Sequence, residues 1–336
     1  SADVRVSHAV TSSDVESMPV DLPESVLLGL NQVDDPPVPP GQVPVQAPVS
    51  NGFMPSDMTL RRWKKQPILF AYDVFRFVPD EWQKEFLISL SDPSKSKLAL
   101  VAAKNVGKTA VLAIAIWWYV LLHPNSQVLA MSYTEDQLKD NLWKELALWY
   151  GRGLILRKTF TFGKTRIEAR ERRYANAWWV SARAYPKSAD DETVKAALAG
   201  LHAEFCMIVL DESSAMPDVV MSASEPILAS GGECKIIQAG NPTHRTGPLW
   251  LAVTRDAAHW WIRKVHSIPG DPSRSPRVDA KWATDRITQY GWDSNEIRVS
   301  IRAEFPEQDA TSLVSEEVIL VASKRWISES SYSHEL

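Results

Sequence analysis

Three short runs carry side chains able to grip and hydrolyse a phosphoanhydride. The first, Ala102-Ala103-Lys104-Asn105-Val106-Gly107-Lys108-Thr109, follows the apolar run Leu98-Ala99-Leu100-Val101-Ala102 and leads into a long apolar stretch. A buried strand, a tight loop and a helix N-terminus in that order present unpaired amides to an anion. Gly107 lets the backbone approach phosphates closely, Lys108 would reach the β and γ oxygens, and the Thr109 hydroxyl would ligate magnesium. The run departs from Gly-x4-Gly-Lys-Ser/Thr at its first position, where Ala102 stands in place of glycine. Gly163-Lys164-Thr165 repeats the tripeptide at a hairpin turn with no helix behind it, and is not read as a second phosphate loop.

The second run, Cys206-Met207-Ile208-Val209-Leu210-Asp211-Glu212, lies about 100 residues further on and is an apolar strand ending in two carboxylates. Asp211 could hold magnesium through water, and Glu212 could polarise the attacking water as a general base or positioner. Taken alone, such a run is also what a buried strand capped by two solvated acids looks like. The third run, Lys235-Ile236-Ile237-Gln238-Ala239-Gly240-Asn241-Pro242-Thr243, is a strand ending in a small polar turn. In a parallel sheet its C-terminal end would lie beside the other two, where Asn241 or Thr243 could sense the γ-phosphate; a plain Asn-Pro turn is the alternative. About twenty residues before the phosphate loop, Pro79-Asp80-Glu81-Trp82-Gln83 offers Gln83, whose amide can donate to and accept from an adenine edge.

These runs require a scaffold in which strand ends converge. Apolar strands at 98–102, 127–132, 178–181, 206–210 and 235–238 alternate with helical stretches at about 110–122 and 135–150, and residues 159–168 alternate as a hairpin about Gly163. That order predicts an α/β fold, a P-loop NTPase of the ASCE/RecA-like kind, with a largely parallel central sheet flanked by helices. We expect an ATPase core over 59–260 and a small helical lid or linker over 261–336.

Composition bounds the rest. The chain has 336 residues, 45% of them hydrophobic, enough for a substantial core. Its net charge of −4 is uneven: residues 1–58 hold one basic and eight acidic side chains (−7), which leaves 36 basic and 33 acidic in the remainder (+3). That first segment also holds nine of the 22 prolines and reads as a disordered acidic leader. Two cysteines cannot make a disulfide framework and read as buried, reduced thiols of a cytosolic protein. No apolar run is long enough to span a membrane, and the histidines lack metal-ligand spacing. The tryptophan pairs 117–118, 178–179 and 260–261 fall in predicted helices and strands and read as packing.

Taken together, Pro79-x2-Trp82-Gln83, a phosphate loop containing the basic Lys104, Gly200-Leu201-His202-Ala203 leading into the Asp-Glu strand, and Gly240-Asn241-Pro242 resemble the large terminase subunit of tailed bacteriophages. Arg302-Ala303-Glu304-Phe305-Pro306 with Leu313-Val314-Ser315 resembles the stretch closing the ATPase region of that family, so the likeness covers about residues 60–325. The resemblance implies a motor that couples ATP hydrolysis, with magnesium, to movement of double-stranded DNA into a viral procapsid. It also implies a portal, a small terminase subunit and a homo-oligomeric ring as partners, in the host cytoplasm and away from membranes. Lys104 stands where the family usually has an arginine proposed to contact the γ-phosphate; lysine keeps the charge and loses the bidentate fork.

Large terminases generally continue into a nuclease, and no aspartate-bearing strand that would begin one is expected here. Residues 152–173 carry eight basic side chains, among them Arg166, Arg170, Arg172 and Arg173. These could hold DNA phosphates, face a neighbouring subunit or form a solvated face. Two other classes compete with a packaging motor: a helicase-like DNA-dependent ATPase, and a non-enzymatic DNA-binding scaffold with a decayed ATP site.

Overall fold

The computed structural model describes residues 55–185, 191–198, 201, 203–230 and 232–307. Most of the expected leader, and the part of the expected lid or linker from residue 308 on, lie outside the described residues. The described chain begins at residue 55, four residues inside the expected leader, and α1 (Asp57–Lys65) takes in the last two of them; Ser56 caps it by accepting the amide of Thr59. Two further helices precede the sheet, α2 (Pro67–Phe75) and α3 (Glu81–Ser91).

Eight strands form one sheet: β1 (Lys97–Ala102), β2 (Gln127–Ser132), β3 (Phe160–Phe162), β4 (Arg166–Ala169), β5 (Trp179–Ala184), β6 (Cys206–Asp211), β7 (Lys235–Gly240) and β8 (Trp261–Val265). Their order is β3-β4-β5-β2-β6-β7-β1-β8. The six strands from β5 to β8 pair in parallel, while β3 and β4 add an antiparallel hairpin at one edge. β6 and β7 are buried along their whole length, as central strands of a sheet covered on both faces must be; β6 is apolar up to Asp211, while β7 also buries Lys235 and Gln238. The α/β class and the parallel sheet expected from the sequence are therefore present.

The helix behind the phosphate loop, α4 (Lys108–Leu122), is apolar all round, and every residue from Val111 to Leu122 is buried. Its two indoles pack as expected and find carbonyl partners, Trp117 at Leu146 (3.1 Å) and Trp118 at Trp63 (2.8 Å). After β2 the amphipathic helix α5 runs from Glu135 to Arg152 with a π-helical middle over Leu138–Trp143. On the sheet face bearing Ile208, Leu210 and Ile236, α6 (Val219–Ser224) and α7 (Gly247–Val253) contribute Val220 and Leu249 to the core.

The sheet does not end where the core boundary was expected. β8 lies past residue 260 and pairs in parallel with β1, from Leu98 opposite Trp261 to Ala102 opposite Val265. It is an edge strand with one neighbour and is mostly half-buried; Arg263 meets Glu85 (3.0 Å) and Lys264 meets Glu304 (2.9 Å). Those two basic residues interrupt the apolar pattern that made the central strands visible.

The chain beyond β8 turns back over the phosphate loop. It contains α8 (Ala280–Tyr290), whose N-cap Asp279 accepts the amide of Trp282 (2.7 Å), and a short helix Asn295–Ile297 continued by a π-helical turn over Arg298–Arg302.

Candidate functional site

The C-terminal ends of β1, β7 and β6 lie side by side, so the three chemical runs meet at one edge of the sheet. Ala102, in the unusual first loop position, is still regular strand: it pairs with Val265, and its carbonyl accepts the Asn241 amide at 2.7 Å. A glycine is not needed there, because the left-handed turns come later, at Asn105 (φ +61°) and Gly107 (φ +90°). Gly107 is fixed for a second reason. A Cβ on it would stand 2.6 Å from Arg277 Cδ and 3.2 Å from Gln83 Nε2.

Two loop amides are already committed, Ala103 to the Val265 carbonyl (2.8 Å) and Lys104 to that of Ser300 (3.1 Å). The loop between Lys104 and α4 is left to wrap an anion at the N-terminus of that helix. Val106 is buried, and its carbonyl accepts the hydroxyl of Ser275 at 3.4 Å. Asn105 is exposed at the loop tip, and Thr109 is half-buried in the first turn of α4.

Lys108 is buried and reaches across to β6, where its ammonium meets Asp211 at 3.1 Å and Glu212 more closely still. Burial opposes the Lys108 charge, but the two carboxylates outweigh it and hold the ammonium protonated beyond its usual range. Burial pushes the Asp211 carboxyl above the usual range, with Lys108 offsetting only part of the shift. Glu212 follows the strand in a left-handed conformation (φ +55°) that turns its carboxylate back toward Lys108. A cation therefore already sits between two carboxylates beside a hydroxyl-bearing helix turn. Hard oxygen donors so placed suit magnesium, which takes one or two carboxylates and fills its remaining positions with water and phosphate. Among the described residues there is no cluster of three or more His, Cys, Asp or Glu that could cage a metal.

The turn after β7 is tied to the turn after β6. Ser214 Oγ accepts the amides of Thr243 and His244, both at 3.1 Å, and the Ser213 hydroxyl donates to the Ala239 carbonyl at 3.4 Å. The Thr243 hydroxyl itself is paired with His244 at 2.9 Å. Sequence reasoning missed both serines, which lie two to three residues past the strand and carry no motif of their own.

Gln83 is wholly buried against the loop. Its Nε2 donates to the Gly107 carbonyl (3.2 Å), and its Oε1 accepts the Asp80 amide (3.0 Å) and a guanidinium N–H of Arg277 (3.2 Å). In this arrangement the amide braces the loop. Arg277 also meets Asp80 at 2.6 Å and covers the Phe77 ring at 5.5 Å. Nothing local in the sequence joins Arg277 to Gln83, 194 residues away. Lys104 points outward to Glu296 (3.3 Å), whose carboxylate also takes Arg286 of α8 at 2.7 Å.

The basic hairpin forms the far edge of the sheet. Four strands separate β4 from β1, so Arg166 and the residues after it stand about 24 Å from the phosphate loop strand of their own chain, beyond a side chain's reach. Arg166 stacks on Trp179 (4.6 Å) and meets Glu168, while Arg170 donates to the Arg157 and Phe160 carbonyls. Arg172 and Arg173 are exposed, the latter beside Glu171 and over the Tyr174 ring.

No model of a known protein family matches the sequence. The chain is 22% identical over 299 residues to the probable large terminase subunit of Enterobacteria phage P7, matching 80% of this chain and 56% of that protein. In structure it is similar to the large terminase of bacteriophage HK97, with a TM-score of 0.52 at 14% identity over 72% of this chain and 55% of that one. A point mutant of the large terminase ATPase domain of Thermus phage P74-26 gives a TM-score of 0.51 at 16% identity, covering 71% of this chain and 99% of that domain. The chain thus spans a little over half the length of the whole large terminases it matches. In sequence and in fold it is similar to phage large terminase subunits, and its fold is that of their ATPase domain.

Proposed function

We propose that this chain is the ATP-hydrolysing motor part of a viral double-stranded DNA packaging machine. The observation that carries the reading is the convergence of Lys108, Asp211 and Glu212 at the mouth of a strand–loop–helix anion site. An entering triphosphate supplies a stronger partner for the Lys108 ammonium, which leaves the carboxylates for the β and γ oxygens. Glu212, released from Lys108, orients a water at the γ-phosphorus and accepts its proton. Thr109 and Asp211 would hold magnesium, which when bound neutralises charge on the phosphate oxygens. Asn241 and Thr243, bonded to the phosphate loop strand and to the turn after Glu212, would carry the γ-phosphate state between them. Lys104 would turn from Glu296 to the γ-phosphate, and Gln83 would read adenine only on giving up one of its present partners.

On this reading the substrate is ATP with magnesium, and the partners are double-stranded DNA, a procapsid portal, a small terminase subunit and further copies in a ring, all in the host cytoplasm. No helix among the described residues is long and apolar enough to cross a membrane. The test is ATP hydrolysis by purified chain with magnesium, with DNA and procapsid added. Glu212→Gln should keep nucleotide binding and lose about 10²-fold or more in turnover. A wild-type chain that neither binds nor hydrolyses ATP under these conditions overturns the reading; unwinding of a tailed duplex would favour a helicase instead.

A further inference from the structure

Ser132 is the last residue of β2 and the register partner of Asp211 in the parallel β2–β6 ladder. Register partners on neighbouring parallel strands project to the same face of the sheet, about 4.8 Å apart. Asp211 meets Lys108 of α4 on its face, so the Ser132 hydroxyl lies on that face too, beside the carboxylate. Ser132 is wholly buried, and its Oγ has no hydrogen-bond partner among the described residues. Its backbone is conventionally paired, the carbonyl accepting the Tyr185 amide at 2.9 Å. A buried hydroxyl without a partner is costly, and a site that works in two states explains why one would be kept.

We infer that Ser132 is a positioning residue for hydrated magnesium, its hydroxyl and the Asp211 carboxylate together holding a metal-bound water. The inference rests on the reading of the phosphate loop as an ATP site. In the structure Lys108 supplies the cation beside Asp211; with that ammonium turned to phosphate, Asp211 and Ser132 would be free to hold a hydrated ion there. Magnesium gives up its waters reluctantly, so oxygens that orient those waters matter as much as direct ligands. Ser126 is an internal control. It too is wholly buried with an unpartnered hydroxyl, but it precedes the other end of β2, at the edge of the sheet away from Asp211.

The experiment measures ADP binding by calorimetry in Mn²⁺ and in EDTA, for wild type, Ser132→Ala and Ser126→Ala, with thermal melting of each protein alone. Ser132→Ala should lose about tenfold in affinity with Mn²⁺ while keeping its affinity in EDTA and melting no lower than wild type, since it removes a buried, unpaired hydroxyl. Ser126→Ala should match wild type in both conditions. Equal losses with and without metal in Ser132→Ala, or no loss in either, overturn the assignment while the nucleotide reading stands. A wild-type chain that binds ADP in neither condition overturns the nucleotide reading, and the assignment falls with it.

Discussion

Glu212 holds a backbone conformation that costs a side-chain-bearing residue about 1–2 kcal/mol. It keeps it because β6 ends one residue earlier and the following turn is pinned by Ser213 and Ser214 to the turn after β7. The strain aims a carboxylate at Lys108, where an unstrained extended residue would carry it along the strand. Lys235, at the opposite end of β7, is buried for structural reasons: its ammonium is capped by the carbonyls of Asp92 (2.6 Å) and Lys95 (2.7 Å). Burial lowers its pKa from 10.5 to about 8. Between those two pH values the unfolded chain binds the proton that the folded chain has released, so stability should rise with pH across that window. Urea midpoints at pH 7.5 and 9.5 should show a rise in wild type that is absent from Lys235→Met; parallel behaviour would show that Lys235 keeps an ordinary affinity for its proton. Lys108, Asp211 and Glu212 were legible one residue at a time because each chemistry needs one side-chain type at a strand or helix end. Arg277 and Ser132 were not, since their significance comes from neighbours that only the folded chain supplies.

α3 is joined to the phosphate loop through its first turn. Asp80 and Gln83 form a capping box, and the same two side chains take the guanidinium of Arg277 from the far end of the chain. Burial pushes the Asp80 carboxyl up, and Arg277 offsets only part of that rise. A double-mutant cycle of Arg277→Ala and Asp80→Ala should give a coupling energy of about 1–2 kcal/mol in urea unfolding. A coupling near zero would mean the returning segment is held by its backbone contacts alone. Elements buried on both sides were the readable ones: β6 is a continuous apolar run up to Asp211, β7 carries the apolar pair Ile236-Ile237, and α4 is apolar all round. β8 escaped because an edge strand has one neighbour, and Arg263 and Lys264 on it answer to surface carboxylates. With β8 went the core boundary, since nothing in the local sequence distinguishes it from a loop.

For the whole molecule, the net charge of −4 averages a segment at −7 with a remainder at +3. The exposed end of the basic hairpin, far from its own phosphate loop, is the surface we expect to meet DNA or a neighbouring copy. Replacing Arg170, Arg172 and Arg173 by alanine should weaken binding to duplexes of unrelated sequence alike, and should lower the slope of log K against log salt by about one per lost phosphate contact. Basal ATP hydrolysis should be unchanged; full retention of DNA affinity would hand the hairpin to another role. The segment returning over the phosphate loop has an optical consequence as well. Among the described tryptophans, Trp282 (38%) and Trp292 (42%) are the two with large solvent exposure, and both belong to that segment. Of the described indoles, iodide should therefore quench mainly these two and spare the buried ones. If nucleotide draws Lys104 away from Glu296, α8 loses part of its tether to the loop, and the quenchable fraction should change on adding ATP. The protein thus carries its own label at the place where movement of that segment would be seen.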